Sequence, residues 1–278
     1  MKIIADSSST RTEWALVDGD TIVEHAFTQG LNPYFQSRRD ISHSIRLEIP
    51  DAFFKRRWSH IYFYGAGCAN LDKRKIMEAS LIAQFKTPAT VESDLLGAAR
   101  GLLVRERGIA CILGTGSNSC LYDGSQIVKS VRSAGFILGD EGSGAQLGKM
   151  FVSDCLKNIA PVELKEEFYA RFGINPDAIM NVVYTQPFPN RSLSTYSFFL
   201  AKHLDNDYVV DLITRNIRTF FNRNIVQYDY QNQPITFVGL VAYTYADILK
   251  SIAAEFGVEI NKIVRNSMPG LLDYHRND

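Results

Sequence analysis

Hydrophobic positions at the start of the chain come in short runs broken by polar turns, a pattern of strands rather than helices. Residues 2–5 carry Ile3 and Ile4 and end in the polar run Asp6-Ser7-Ser8-Ser9-Thr10-Arg11-Thr12. Residues 13–18 alternate around Trp14 and Leu16, Asp18-Gly19-Asp20 is a hairpin turn, and residues 21–27 read as a third strand. Such an order makes an antiparallel meander before any helix appears. A dinucleotide-binding fold would place a helix directly after the first loop, so the order argues against one. Helical patterns follow over 36–49 and 71–85, separated by the strand Ile61-Tyr62-Phe63-Tyr64. Residues 90–93 are a short strand and 94–107 a helix of Leu, Ala and Gly.

At residues 109–113 the pattern begins again. A strand runs into Gly114-Thr115-Gly116-Ser117, a second strand reaches Tyr122, Asp123-Gly124 turns the chain, and a third strand follows. An internal repeat of about a hundred residues, each copy with a polar loop after its first strand, predicts two related α/β domains. Their boundaries fall at 1–108 and 109–265. No low-complexity linker separates them, so a packed pair with a ligand-binding cleft is expected. Helices are predicted over 143–158, 161–172, 193–203, 208–229 and 245–256, with Ile235-Thr236-Phe237-Val238 as one more strand. The tail, 261–275, reads as a helix broken at Pro269-Gly270.

Charge and composition narrow the function. The 30 basic and 30 acidic residues balance to zero, which builds no positive field for nucleic acid or an anionic membrane. Lys73-Arg74-Lys75 and Lys55-Arg56-Arg57 are short clusters that read as solvated faces. No apolar run approaches the roughly 20 residues that a bilayer demands. The opening Met1-Lys2-Ile3-Ile4-Ala5 runs straight into a polar loop and cannot form a secretion signal. A cytoplasmic protein is expected, in which Asn190-Arg191-Ser192 matches a glycosylation acceptor by coincidence. Cys68, Cys111, Cys120 and Cys155 form no metal-binding spacing and read as buried thiols. Partners among nucleic acids or membranes are therefore not expected. Oligomeric state stays open, a homodimer included.

Three segments carry chemistry. In the first loop, small hydroxyl residues on a tight turn offer N–H and O–H donors to a polyphosphate, and Asp6 at the strand end is placed to hold magnesium. A hairpin turn with a capping aspartate is the plainer alternative. Gly114-Thr115-Gly116-Ser117 offers the same donors from the second copy. Gly135-Phe136-Ile137-Leu138-Gly139-Asp140-Glu141-Gly142-Ser143-Gly144 sets two carboxylates among glycines before a helix, as a loop shaped around a ligand would. Residues 144–149 resemble a Walker loop only superficially, because the glycine spacing is wrong and Met150 replaces the required hydroxyl. Asp94 opens a helix, where it either caps that helix or accepts a proton from an attacking hydroxyl. Asn32 is a turn residue or a sugar contact.

Together with Phe237-Val238-Gly239-Leu240-Val241-Ala242, these segments resemble the N-acetylglucosamine kinase branch of the actin–hexokinase–heat-shock-chaperone (ASKHA) superfamily. That branch is grouped with BadF/BadG/BcrA/BcrD-type ATPases, which activate dehydratases. The resemblance covers nearly the whole chain. It implies two ribonuclease-H-like (actin-like ATPase) domains, with the C-terminal helix of 266–278 packing back on the first. It further implies ATP and Mg2+ as cofactors, a small-molecule sugar as substrate, and transfer of phosphate to the 6-hydroxyl of an amino sugar. Asp6 would organise magnesium, while Ser8, Ser9, Thr10, Arg11 and Thr12 would contact the terminal phosphates. Gly114, Thr115 and Gly116 would hold phosphates from the second domain. Asp94 would be the general base, and Gly239 and Ala242 would line the adenine pocket. Asn32, Gly139, Asp140 and Glu141 would bind the sugar.

The chain departs from the family pattern at four places. Ser8 stands where glycine is usual, Arg11 where lysine is usual, Ser93 where asparagine commonly precedes the base, and Leu240 where a small residue is common. These changes keep open a pseudokinase that binds without catalysing. A dehydratase-activator ATPase is a third reading. It needs cysteines presented to an iron–sulfur cluster, and Cys111, Cys120 and Cys155 fall inside predicted elements.

Overall fold

The computed structural model describes residues 1–55 and 57–277; Arg56, in one of the basic clusters, lies outside the described residues. Two mixed sheets organise it. The first contains β1 (Lys2–Ser7), β2 (Arg11–Asp18), β3 (Thr21–Gln29), β4 (Ile61–Gly65) and β5 (Ala89–Ser93), in the order β3-β2-β1-β4-β5. Helices α1 (Arg38–Glu48), α2 (Leu71–Phe85) and α3 (Asp94–Leu103) follow β3, β4 and β5. The second sheet contains β6 (Gly108–Leu113), β7 (Ser117–Tyr122), β8 (Ile127–Val131), β9 (Ile235–Val238) and β10 (Ile260–Val264), in the order β10-β9-β6-β7-β8. Each sheet therefore has its third, second, first, fourth and fifth strands side by side. The internal repeat seen in the sequence is a repeat of topology.

The remaining helices are α4 (Gly135–Leu138), α5 (Gly144–Leu156), α6 (Val162–Phe172), α7 (Pro176–Thr185), α8 (Pro189–Ser197), α9 (Asp207–Arg223), α10 (Leu240–Thr244), α11 (Ala246–Glu255) and α12 (Met268–Tyr274). The chain forms two compact units. One comprises Met1–Ala110, Cys120–Lys129 and the segment from Asn266 on, and the other comprises Cys111–Ser119 and Ser130–Arg265.

Strand alternation sorts the first unit into layers. Ile3, Ala5, Trp14, Leu16 and Phe63 point to one face, where Ile41 and Ile45 of α1 and Met77 and Leu81 of α2 cover them. Trp14 is fully buried, and its indole N–H donates to Thr28 Oγ1 at 2.9 Å. Losing such a side chain to alanine costs roughly 3–5 kcal/mol. Ile4, Ala15 and Tyr64 point to the opposite face and pack with Met268 and Leu271 of α12. Helices α3 and α12 cross closely there: a Cβ on Gly270 would run into the Gly101 backbone. In the second unit Phe151 of α5 packs with Phe168 of α6 and with Phe199, at ring separations of 5.0 and 5.8 Å.

Several sequence expectations need correction. The tail is not one broken helix: residues 260–264 are a strand and α12 runs through Pro269-Gly270. Proline is tolerated there because it lies in the first turn, where its missing N–H would have had no partner. Helix α3 stops at Leu103, before the expected Arg107, because Val104 adopts a left-handed φ of 55°. The stretches expected as 193–203 and 208–229 each end in 3-10 turns, at Leu200–Lys202 and from Ile225 onward. Lys73 and Arg74 are not a simple solvated face either. Lys73 Nζ donates to the Pro33 carbonyl at 2.8 Å, and Arg74 pairs with Glu92 at 2.6 Å. All four cysteines are buried thiols outside any disulfide.

Candidate active site

In the first unit, strand β1 ends at Asp6 and Ser7, and the chain returns through a two-residue turn closed by Ser8 N–H donating to the Arg11 carbonyl at 2.9 Å. The Ser8 hydroxyl folds back into this turn. It accepts from the N–H groups of Thr10 and Arg11 at 3.3 and 3.2 Å and donates to the Arg11 carbonyl at 3.0 Å. Thr12 points inward and donates to the Gln29 carbonyl at 3.0 Å. Arg11 spreads its guanidinium 3.9 Å above the Phe27 ring. Ser9 and Thr10 are left at the turn's tip, with Gly30 N–H donating to the Thr10 carbonyl. Two of the five hydroxyl and arginine positions assigned to phosphate, Ser8 and Thr12, thus have their side chains committed to the fold.

Asp6 is part of an acidic group. Antiparallel pairing sets Glu13 directly opposite Asp6, and like charges so placed repel. Burial pushes the Asp6 pKa up to about 6, the Ser267 hydroxyl bonded to its carboxylate opposes that, and the charges of Glu13 and Asp94 add to it. Glu13 itself lies 2.9 Å from His25 Nε2. Among the described residues no cluster of three or more His, Cys, Asp or Glu could hold a metal. Magnesium, however, is commonly held by one or two carboxylates together with substrate phosphates and water. A carboxylate that feels the charges of two other carboxylates fits that demand.

Asp94 is the first residue of α3, and the capping role expected for it belongs to its neighbour. Ser93 Oγ accepts from the Leu96 N–H at 3.2 Å, while Asp94 Oδ1 accepts from Leu95 N–H at 2.9 Å. The Asp94 carboxyl is partly buried, and burial raises its pKa against the pull of the Leu95 amide and of its own. Cys68 lies within reach of the Asp94 charge, its thiol pushed up to about 12 chiefly by burial. The same turn approaches Asn32, whose Oδ1 fills the space that a Cβ on Gly67 would need. Asn32 is buried, and its Oδ1 accepts from Tyr34 N–H at 2.9 Å. Asp6, Asp94 and Asn32 therefore belong to one connected neighbourhood.

In the second unit the glycine loop is held by its neighbours. Gly114 N–H donates to the Gly116 carbonyl at 3.0 Å, and the first amides of α5, on Gly144 and Ala145, donate to the carbonyls of Gly114 and Thr115 at 2.8 and 3.1 Å. Asp140, buried at a left-handed φ of 56°, accepts the Ser117 N–H at 3.1 Å. Gly239, at φ 126°, lies against the start of the same loop, where a Cβ would strike the Leu113 carbonyl. Ala242 is buried behind it, Leu240 is exposed, and Gly139 is buried beside Asp140. Glu141 pairs with Arg223 at 3.0 Å.

Pattern reading overlooks three residues here. Asn216 of α9 accepts the Gly142 N–H and donates to the Ser143 carbonyl, both at 3.1 Å, and so staples the Gly-Asp-Glu-Gly-Ser segment. Its signal was available, a polar residue inside the apolar stripe of Leu212, Ile213, Ile217 and Phe220. Glu13 was visible as a charge on an otherwise buried strand. Ser267 carried no local signal, because its partner Asp6 lies 261 residues away.

Two mixed sheets of one strand order, each with a meander whose first strand opens into a donor-rich turn, define an actin-like ATPase fold, the class that includes sugar kinases. Solved structures agree. A ROK-family glucokinase from Streptomyces griseus, in complex with glucose and AMPPNP, shares the fold at 16% identity and a TM-score of 0.57, covering 98% of this chain and 97% of that one. A proposed N-acetylglucosamine kinase from Chromobacterium violaceum does so at 19% identity and 0.74, covering 98% of each. Another proposed N-acetylglucosamine kinase, from Porphyromonas gingivalis, is 38% identical with a TM-score of 0.93, covering 100% of this chain and 99% of that one. The chain belongs to the N-acetylglucosamine kinase branch of the actin–hexokinase–heat-shock-chaperone superfamily, a family of ATP-dependent sugar kinases. No protein-family model and no curated protein sequence matches it.

Proposed function

We propose that the protein phosphorylates the 6-hydroxyl of an amino sugar, N-acetylglucosamine before any other, at the expense of ATP. The observation that carries this reading is Asp94: a partly buried carboxylate, free of the capping role and raised in pKa, in the same neighbourhood as Asp6 and Asn32. A carboxylate whose pKa moves toward working pH is a better acceptor for the proton of an attacking hydroxyl. In this reading Asp94 takes that proton, Asp6 holds magnesium, and Asn32 orients the sugar. Magnesium-bound ATP would supply the phosphoryl group, the metal offsetting its charge.

Ser9, Thr10 and Arg11 are the parts of the first loop assigned to terminal phosphates, with Ser8 and Thr12 shaping the turn beneath them. Thr115 and Gly116 present the second loop's amides, with Gly114 closing the loop on the Gly116 carbonyl, and Gly239 and Ala242 are assigned to the adenine side. Gly139, Asp140 and Glu141 remain assigned to sugar, and the Asp140 carboxylate also supports the second loop by accepting the Ser117 N–H. The buried thiols give no support to a dehydratase activator. The test is coupled ADP release with magnesium and a panel of amino sugars and hexoses. Turnover is expected to be highest with N-acetylglucosamine; ADP release that no sugar stimulates would overturn the proposal.

A further inference from the structure

We propose that Ser267 is a positioning residue for the divalent cation, fixing the Asp6 carboxylate through the hydroxyl it donates to Oδ2. This deepens the reading of Asp6 as the magnesium holder and rests on it.

Ser267 occupies the residue before α12, where a serine normally caps its own helix by accepting an N–H from the second or third helical residue. Here the second is Pro269, which has no N–H, and the Ser267 side chain makes no cap bond. Its hydroxyl is committed to Asp6 instead. The serine is held in place from several sides. It is buried, its carbonyl accepts the Leu271 N–H at 3.0 Å, and its Cβ and carbonyl occupy the room left by the missing side chain of Gly101.

The far end of α12 is tied to the strands flanking Asp6. The His275 carbonyl accepts from Lys2 Nζ, at the start of the strand that carries Asp6. His275 Nε2 lies 2.7 Å from the Tyr64 hydroxyl, and its ring stacks on Tyr62 at 4.0 Å. Tyr64 is in turn the β4 residue in register with Asp6. A rigid donor on one carboxylate oxygen determines how the other is presented. Without it, an aspartate opposite Glu13 and near Asp94 would turn away from those charges and lose its aim.

The experiment is Mn2+ binding followed by electron paramagnetic resonance at saturating ADP, on the full chain and its variants. Ser267→Ala is expected to weaken Mn2+ about tenfold, the worth of one hydrogen bond to a charged group. Ser267→Thr, which restores the hydroxyl, is expected to stay within about twofold of the parent. Asp6→Asn is expected to abolish Mn2+ binding. Parent-like affinity in Ser267→Ala alongside loss in Asp6→Asn would overturn the role of Ser267 and leave that of Asp6. Undiminished binding in Asp6→Asn would overturn both. If Ser267→Ala does not fold, Ser267→Cys serves in its place: it keeps the volume with a weak donor, and parent-like affinity there likewise overturns the role.

Discussion

The two loops that open the two meanders occupy the same place in the same topology, yet they are built by opposite means. The first closes on itself: a two-residue turn is held by the hydroxyl of its own Ser8, while the charged chemistry gathers beside it in Asp6, Glu13 and Asp94. The second is closed by others, with the α5 amides and the Asp140 carboxylate bonding the glycine loop and Asn216 stapling the segment that carries Asp140. The repeat keeps the strand order and divides the labour. One copy concentrates like charge, which favours function over stability, and the other concentrates satisfied backbone hydrogen bonds, which give a rigid amide frame.

The sharpest way to break this contrast is to remove charge from the first copy. Asp94→Asn should cut sugar-dependent ADP release by about 10²–10⁴-fold while leaving the melting temperature close to the parent's. Intact turnover would dismiss Asp94 as the base. The reciprocal change belongs to the second copy: Asn216→Ala strands a buried N–H and a carbonyl, and should cost about 3 kcal/mol in denaturant unfolding. A loss below about 1 kcal/mol would mean that the frame is held elsewhere.

A pH series sharpens the comparison further. The Asp6 pKa is raised to about 6 from 3.8, so between those values the native state binds its proton more tightly than the unfolded chain. The stabilising contribution of this group is therefore full at low pH and is lost as pH rises through about 6. In chelator, the melting temperature of Asp6→Asn should gain on the parent's as pH goes from about 4 to about 7; a gap that does not change with pH would refute the acidic cluster. The smallest effect is expected at Ser8→Gly, which removes the hydroxyl that closes the first turn and should lower stability by about 1 kcal/mol in the same unfolding assay.

Much of this architecture is written in local pattern. The meanders, their repetition and the bounds of α2 and β9 follow from alternation, helical spacing and turn residues that act within a few positions. What escapes pattern reading is set by distant neighbours. Strand β10 is a half-exposed edge, Ile-Asn-Lys-Ile-Val, whose extended form is imposed by parallel pairing with β9. Helix α7 was legible and was passed over: it has an Asn175 cap followed by Pro176, and Ile179, Val182 and Val183 at helical spacing. Asp6 and Asp94 were legible as chemistry; their grouping with Glu13 and Ser267 was not, because Glu13 reaches Asp6 through a strand register and Ser267 reaches it from far along the chain. Asp140 adds a further case: its glycine surroundings suggested a ligand, and its bond to the Ser117 N–H of the neighbouring loop had no local signal.

The bond from Lys2 to His275 spans 273 positions, and Met268 and Leu271 complete the hydrophobic face begun by Ile4. During synthesis, the strands of the first sheet must wait for α12, far along the chain, before that face is closed. Emergence of α12, rather than of the strands that it covers, should therefore time the appearance of a protease-resistant first unit.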